Sequence, residues 1–186
     1  MSSKTIVLIG PMSAGKSTIA SELAKLTGMR RIPMDRVRWY YYLKNGFSLE
    51  EEESFSDFNE IMNYWKPFEL EAVKSVLHDF PNSIIDFGAG HSHYVEEKRF
   101  NEAYKALKNY PNVVLLLPSE DVEKSLEICN QRLMKMANRE LTEIEISANL
   151  EFIKSESNKK LAKYTVYTGD NSPQEIAEKI LAILKI

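Results

Sequence analysis

One segment of eight residues constrains the fold of this chain more than any other feature of its sequence. Residues 10–17 read Gly-Pro-Met-Ser-Ala-Gly-Lys-Ser and match the pattern GxxxxGK[ST] in full. A β-branched run at residues 4–9 precedes them, and residues 16–28 follow with apolar residues at helical spacing up to a final glycine. A buried strand, a tight turn and a helix are therefore predicted in succession, and this is the context in which the pattern binds polyphosphate.

The residue types of this segment suit that chemistry. The glycines let backbone N–H groups converge on one concavity, and the helix N-terminus adds partial positive charge there. Lys16 supplies an ammonium for the β- and γ-phosphates, and the hydroxyl of Ser17 is an oxygen ligand for Mg²⁺. The predicted nucleotide-binding residues of the loop are Gly10, Pro11, Met12, Ser13, Ala14, Gly15, Lys16, Ser17 and Thr18.

Apolar runs alternate with helical patterns along the rest of the chain. Candidate strands occupy residues 83–87, 113–117 and 164–167, and helical spacing occurs at residues 68–79, 96–108, 120–137, 143–157 and 173–185. Continuous apolar strands separated by helices favour a parallel sheet that is covered on both faces. We predict an α/β fold of three layers, the P-loop NTPase fold, with a five-stranded parallel sheet flanked by helices and with lid and substrate-binding insertions.

Composition narrows the class of protein further. The chain has 186 residues and a formal net charge of −3 from 24 Lys and Arg against 27 Asp and Glu, which suits one domain over residues 1–186 and argues against nucleic-acid binding. Its apolar runs are too short to span a bilayer, so we expect no membrane association. A lone cysteine, Cys129, and a start without signal-peptide features favour the cytoplasm. We expect a monomer or a homodimer.

A magnesium site needs a carboxylate in addition to the hydroxyl of Ser17. Asp86 closes the apolar run Ser-Ile-Ile-Asp, so it would lie at the end of a strand and hold the ion directly or through water. The alternative is that Asp86 only caps the glycine-rich turn at residues 88–90. We predict a metal site formed by Ser17 and Asp86.

With these motifs the chain resembles the shikimate kinase group of the nucleoside-monophosphate-kinase-like P-loop kinases over essentially its whole length. Residues 32–35 resemble the family's Asp-x-Asp, and Gly88-Ala89-Gly90 resembles the Gly-Gly-Gly that lines its acceptor site. Arg132 and Arg139 resemble its adenine-stacking and lid arginines, and residues 168–173, which end in Pro173, resemble its nucleotide-base loop. The resemblance implies a small-molecule kinase that uses ATP and Mg²⁺, with a substrate-binding insertion at about residues 34–65 and a lid at about residues 133–145.

The chain departs from the family pattern at three positions. Pro33 replaces the first Asp of the Asp-x-Asp, so the metal role shifts to Asp86, while Asp35 remains to orient or deprotonate a hydroxyl. The two arginines that clamp a carboxylate in the family correspond to Lys66 and Lys154. Because a lysine lacks the planar two-pronged grip of an arginine, we expect an acceptor other than shikimate.

The predicted acceptor-binding residues surround these motifs: Asp35, Arg38, Lys66, Gly88, Ala89, Gly90 and His91. The aromatic segment at residues 39–42 either holds a ring-bearing substrate or packs the substrate-binding helices on the core. Arg38 either binds substrate or is a surface charge, and its spacing from Asp35 puts both on one helix face. His91 either touches substrate or phosphate or is an exposed loop histidine.

The predicted activity is transfer of the γ-phosphoryl group of ATP to a hydroxyl of a small-molecule acceptor. Lys16 and Arg139 would stabilise charge, and Asp35 would activate the hydroxyl. Arg132 and Arg139 are alternatively ordinary solvated helix charges. Two other functions stay open: a nucleoside or nucleotide kinase in which residues 39–42 stack a base, and a non-catalytic ATP-binding regulatory protein, which the replacement at Pro33 favours.

Overall fold

A computed structural model describes residues 4–186. The strands of this part of the chain are β1 (Ile6–Ile9), β2 (Arg31–Pro33), β3 (Ile84–Asp86), β4 (Asn112–Leu117) and β5 (Tyr164–Tyr167). Its α-helices are α1 (Lys16–Thr27), α2 (Met34–Lys44), α3 (Leu49–Ser54), α4 (Phe58–Asp79), α5 (Glu97–Leu107), α6 (Val122–Ala137), α7 (Glu143–Lys154), α8 (Glu156–Leu161) and α9 (Pro173–Leu184), and a 3₁₀ helix spans Ala89–Ser92.

The apolar run before the glycine loop forms the central strand of the sheet. All four residues of β1 are fully buried, and the strand order is β2-β3-β1-β4-β5 with every pair parallel. Such a strand must be covered on both sides, because its side chains alternate between the two faces. The predicted fold, a five-stranded parallel sheet flanked by helices, is confirmed.

Each face of the sheet has its own core. On one face Val7 and Ile9 pack with residues of α2 and α4, including Tyr42 and Val73. On the other face Ile6 and Leu8 pack with residues of α1 and α9, and the buried Cys129 of α6 belongs to this core. Cys129 therefore acts as a small packing residue.

The parallel arrangement brings three predicted site segments to one edge. The carboxyl ends of β1, β2 and β3 are adjacent, with Leu8 and Pro33 both in register with Asp86. The loop after β1, the start of α2 after β2, and Asp86 itself therefore lie together. In open parallel sheets this edge is where ligands bind.

Two predicted helix boundaries are wrong. The helix predicted at residues 68–79 begins ten residues earlier, at Phe58, where Asp57 caps it by accepting the N–H groups of Asn59 and Glu60. Pro67 hid this extension, because a proline usually marks the start of a helix rather than its interior. The helix predicted at residues 143–157 is broken at Ser155, whose hydroxyl caps α8.

The proposed substrate-binding insertion, residues 34–65, consists of α2, α3 and the first turns of α4. Tyr41 and Tyr42 are buried, and Trp39 makes edge-to-face contacts with Tyr42 and Trp65. For these two tyrosines the packing interpretation is therefore confirmed. Among the described helices, none combines the length and apolar character needed to cross a membrane.

Candidate functional site

The glycine loop has the shape that its sequence predicts. Gly10 adopts a φ of 138°, and a Cβ at this position would overlap the carbonyl oxygen of Leu116. Gly15 adopts a φ of 93° as the N-cap of α1, and Ser13 between them is also left-handed, with a φ of 57°. Glycine meets the first two demands because it has no Cβ. The loop turns the chain sharply from β1 into the N-terminus of α1.

Lys16 crosses the loop and lies buried beneath it. Its Nζ donates to the carbonyl of Gly10 at 2.8 Å and to that of Pro11 at 2.7 Å. Burial lowers the pKa of Lys16 to about 8, while the negative charge of Asp35 is the first of the neighbouring charges that oppose this shift. A bound polyphosphate would add negative charge at the same point and favour the ammonium form.

The side chains of Ser17 and Asp86, the two proposed metal ligands, are in direct contact. The hydroxyl of Ser17 donates to Asp86 Oδ2 at 2.8 Å, which leaves the lone pairs of the serine oxygen free for a cation. Arg31 grips the same carboxylate with two N–H groups, Nε to Oδ1 at 3.0 Å and Nη2 to Oδ2 at 2.8 Å. These hard oxygen donors fit Mg²⁺, and the arginine holds the carboxylate in place.

A cavity of about 850 Å³ opens over the loop. The predicted nucleotide residues that line it are Met12, Ser13, Ala14, Gly15, Lys16, Ser17, Thr18, Arg132 and Pro173. Further lining residues that the sequence did not single out are Ile19, Leu133, Lys135, Met136, Thr168, Asn171 and Ile176. Thr168 and Asn171 belong to the loop between β5 and α9, which the resemblance had indicated only as a segment.

Three of the predicted acceptor residues border the same cavity, namely Asp35, Gly88 and Ala89. A Cβ on Gly88 would overlap Asp35 Oδ1 and would also lie 2.9 Å from the ring of His91. The absence of a side chain at Gly88 therefore lets the Asp35 carboxylate approach the turn. Asp35 and the phosphate loop share one space, which is the arrangement that in-line phosphoryl transfer needs.

Lys66 and Gly90, which were also predicted to bind the acceptor, do not line this cavity. Lys66 donates to Glu69 Oε2 at 2.7 Å and to the carbonyl of Gly90 at 3.1 Å, and both charged side chains are almost completely buried. A Cβ on Gly90 would overlap the Glu69 carboxylate. Lys66 also borders a second cavity of about 510 Å³ between α4 and α7.

Arg38 and His91 do not line the cavity over the loop. The guanidinium of Arg38 stacks on Trp39 at 4.6 Å and Trp65 at 5.0 Å. His91 is buried, not exposed as the loop-histidine alternative supposed, and its Nε2 lies 3.3 Å from the hydroxyl of Tyr42. Burial, reinforced by the charges of Arg38 and Lys66, holds the pKa of His91 well below its ordinary value.

Arg139 does not line the cavity over the phosphate loop. Arg139 is exposed just beyond the end of α6, where Nη1 and Nη2 donate to the two carboxylate oxygens of Glu145 at 2.9 and 2.7 Å. The same carboxylate completes the capping box of α7 with Thr142. The spacing from Arg132 did not predict this position because Asn138 turns the chain into the left-handed region between the two arginines. Lys154 is likewise exposed and lies outside this cavity.

Three residues of the site were missed by sequence reasoning. Arg31, which holds Asp86, is the first residue of β2, and no sequence pattern marks it. Glu69 lies within α4, and no sequence pattern distinguishes it from an ordinary helical carboxylate. Asn149 carried a signal, since it shares its helix face with the buried Phe152 and Ile153 at spacings of three and four residues. A polar residue on an apolar stripe indicates a buried hydrogen bond.

Together the sheet topology, the phosphate loop and the hydroxyl–carboxylate pair define the class of P-loop NTPase-fold proteins, which includes small-molecule kinases. Comparison with known proteins narrows this class. The family model for shikimate kinase matches residues 12–185, so the chain belongs to the shikimate kinase family.

Curated relatives and solved structures agree with this family. A shikimate kinase of Thermodesulfovibrio yellowstonii is 28% identical over 96% of this chain and 93% of its own length. A shikimate kinase of Parabacteroides distasonis is 29% identical over 68% of this chain, and the match spans only 65% of that relative's length.

Two solved structures show the same fold at low identity. The shikimate kinase of Acinetobacter baumannii in complex with shikimate has a TM-score of 0.69 at 23% identity, covering 97% of this chain and 92% of that one. A gluconokinase of Sinorhizobium meliloti has a TM-score of 0.62 at 16% identity, covering 97% and 91%. The fold is therefore shared by kinases that act on different acceptors.

Proposed function

We propose that this protein transfers the γ-phosphoryl group of ATP, with Mg²⁺, to a hydroxyl group of a small molecule. One observation carries the proposal: the carboxylate of Asp35 borders the same cavity as Lys16 and the phosphate loop. A base and a polyphosphate site that face one space are what transfer to a hydroxyl requires, because the acceptor oxygen must be held in line with the bond that breaks.

The residues divide the work as follows. Backbone N–H groups of the loop and Lys16 hold the phosphates, and Ser17 with Asp86 would hold Mg²⁺, which neutralises charge on the phosphates when bound. Asp35 accepts the proton of the acceptor hydroxyl as its oxygen attacks the γ-phosphorus and the bond to ADP breaks. Arg132 and Pro173 flank the space for the base, and Arg139 would act from the proposed lid after leaving Glu145.

The acceptor that we propose is a hydroxyl compound other than shikimate. Lys66 already commits two of its three N–H donors to Glu69 and Gly90, and Lys154 is exposed outside the cavity over the loop. Neither lysine offers a carboxylate the paired, planar hydrogen bonds that arginine provides. Tyr41 and Tyr42 are buried and are therefore poor candidates for stacking on a nucleoside base, whereas Tyr40 is exposed but does not line the cavity over the loop.

The test is an acceptor screen with purified protein, ATP and Mg²⁺, following ADP release in the presence of shikimate, aldonic acids, aldoses and nucleosides. We expect acceptor-dependent ADP release with at least one compound, and a kcat/KM for shikimate at least about 100-fold below that of the best acceptor, since one well-placed charged hydrogen-bond network is worth ~3 kcal/mol.

Two variants serve as controls for the screen. Asp35→Asn should abolish acceptor-dependent turnover while leaving ADP affinity nearly unchanged, and Lys16→Ala should lower turnover by at least about 100-fold. Tight ADP binding without turnover of any acceptor would favour the non-catalytic alternative. Shikimate as the best acceptor would show that the departure at Lys66 and Lys154 does not change the substrate.

A further inference from the structure

Asn149 is a fully buried polar residue outside the motifs of the family. It lies on α7, and its Oδ1 accepts the backbone N–H of Met12 in the phosphate loop at 3.0 Å. Its Nδ2 donates to Oδ1 of Asn130 on α6 at 3.1 Å. A buried amide whose oxygen and nitrogen are both bonded fixes the position of each partner, because leaving either group unsatisfied in the interior is costly.

The bond to Met12 controls more than one backbone N–H. The N–H of Met12 and the carbonyl of Pro11 belong to one rigid planar peptide unit, and in a trans peptide they point in opposite directions. That carbonyl accepts the ammonium of Lys16 at 2.7 Å. Asn149 and Lys16 therefore hold the two sides of the same peptide plane, and the plane cannot rotate without breaking one of these bonds.

Because Pro11 has no N–H, the contact with the Met12 N–H is important for holding the loop in place. A proline has no N–H, so the peptide unit between Gly10 and Pro11 offers only a carbonyl, which also accepts from Lys16. After Gly10, the N–H of Met12 is thus the next backbone donor that can bond to another element. It bonds to Asn149 of α7.

We propose that Asn149 is a positioning residue for Lys16, acting through the peptide unit that joins Pro11 and Met12. In this way α7, which follows the proposed lid, sets the orientation of the carbonyl that receives the phosphate-binding lysine. The binding consequences do not depend on the acceptor, so the proposal can fail while the proposed function stands, and the reverse also holds.

The test compares Asn149→Leu, which is close in size but cannot accept a hydrogen bond, with Asn130→Leu, which removes only the other bond of the Asn149 amide. Hydrogen exchange of the Met12 amide is followed by NMR, and the affinities for ATP and AMP are measured by calorimetry. For Asn149→Leu we expect exchange at Met12 at least 10-fold faster and ATP binding about 10-fold weaker, with AMP binding within twofold of the unchanged protein. Asn130→Leu should leave all three within about twofold.

Three results would overturn the proposal: unchanged exchange at Met12 in Asn149→Leu, equal weakening of ATP and AMP binding, or the same changes in Asn130→Leu. Equal weakening would indicate a role in general packing rather than at the phosphates. If Asn149→Leu does not fold, Asn149→Asp tests the proposal instead, because its side chain keeps an oxygen that can accept the Met12 N–H. Protection of Met12 within threefold of the unchanged protein supports the proposal, and its loss contradicts it.

Discussion

Gly90 shows how much can depend on a side chain that is missing. Its Cα faces the carboxylate of Glu69, which in turn holds Lys66, so this buried ion pair exists only because no Cβ intervenes. The sequence showed a glycine-rich turn after a strand and, by resemblance, an acceptor site. It did not show that one of these glycines accommodates a carboxylate from a helix twenty-one residues earlier.

We predict that Gly90→Ala lowers both stability and acceptor use. The added methyl must displace Glu69, so we expect a loss of about 1–3 kcal/mol in the free energy of unfolding, as for other overpacked interiors. We also expect a kcat/KM for the acceptor at least about 10-fold lower, since the pair of Lys66 and Glu69 is disturbed. Urea denaturation and acceptor kinetics measure the two effects.

Gly46 offers a matched control. It adopts a φ of 87°, and a Cβ there would meet no heavy atom within 4 Å. Gly46→Ala should therefore cost about 1 kcal/mol through backbone strain alone and leave acceptor kinetics unchanged. Equal kinetic effects in both variants would contradict a specific role for the space at Gly90.

α4 illustrates how one residue can conceal an element in the sequence. Pro67 lies within a helix of 22 residues and removes the N–H that would bond to the carbonyl of Asn63. The helix persists because its buried face packs against α2 and the sheet, including Ala72, Val73 and Val76. Tertiary packing thus outweighs a local preference that favours a helix start.

We predict that Pro67→Ala raises the free energy of unfolding, by about 1–3 kcal/mol, because it restores a hydrogen bond in the helix interior. Pro173→Ala is the control: Pro173 occupies the first turn of α9, where the N–H has no helical partner. Its stability should change by less than about 0.5 kcal/mol. Urea denaturation of both variants measures the free energy of unfolding. Equal changes in the two variants would mean that Pro67 does not destabilise α4.

The turn between α6 and α7 holds the proposed lid arginine, Arg139, outside the cavity over the phosphate loop. Since Arg139 pairs with Glu145 in this structure, its action in transfer requires that it exchange this partner for the transferring phosphoryl group. We predict that Arg139→Ala lowers kcat at least about 10-fold, as loss of an arginine that neutralises transition-state charge does, with little change in ADP affinity.

Glu145→Gln serves as the control for this prediction. It removes the charge that competes for Arg139, so kcat should not fall. Hydrogen exchange across residues 138–142 should slow when ATP binds to the unchanged protein if the segment closes. A kcat of Arg139→Ala equal to that of the unchanged protein would leave Arg139 as a structural partner of Glu145 only.

The stability of the whole molecule should depend on pH through His91, which is buried, and His93, which is half-buried. Burial lowers the pKa of His93 to about 4, with a contribution from Lys66, and the pKa of His91 is lowered in the same sense. The unfolded chain takes up these protons near pH 6.5, whereas the folded protein resists them. The contribution of these neutral histidines to the free energy of unfolding is therefore fully present above about pH 6.5 and is lost as the pH falls towards 4.

We predict that His93→Asn flattens this dependence. Asparagine can keep the hydrogen bond that Nδ1 of His93 shares with Ser155 at 2.9 Å, but it does not titrate. The loss of unfolding free energy between pH 7 and pH 5 should be smaller than in the unchanged protein by about 1 kcal/mol, allowing for the partial exposure of the ring. Urea denaturation at the two pH values measures it, and parallel losses in both proteins would contradict the assignment.

The sequence by itself determined the class of fold and the shape of the glycine loop after the first strand. Residues 4–28 specify a buried strand, a glycine turn and a helix through local periodicity and backbone freedom, which act over short distances along the chain. The position of Asp86 near the glycine loop could also be predicted, because a parallel sheet places the carboxyl ends of its strands at one edge. The shikimate kinase family followed from the same motifs.

Only the tertiary structure decided what these motifs contact. Arg31 bonds to Asp86 across 55 residues, Asn149 bonds to Met12 across 137, and Arg139 pairs with Glu145 outside the cavity over the phosphate loop. Such contacts depend on which helix faces the sheet packing brings together and on where a single residue such as Asn138 or Pro67 redirects or fails to redirect the chain. Local sequence patterns do not predict these distant contacts, because hydrogen bonds and charges act through space rather than along the sequence.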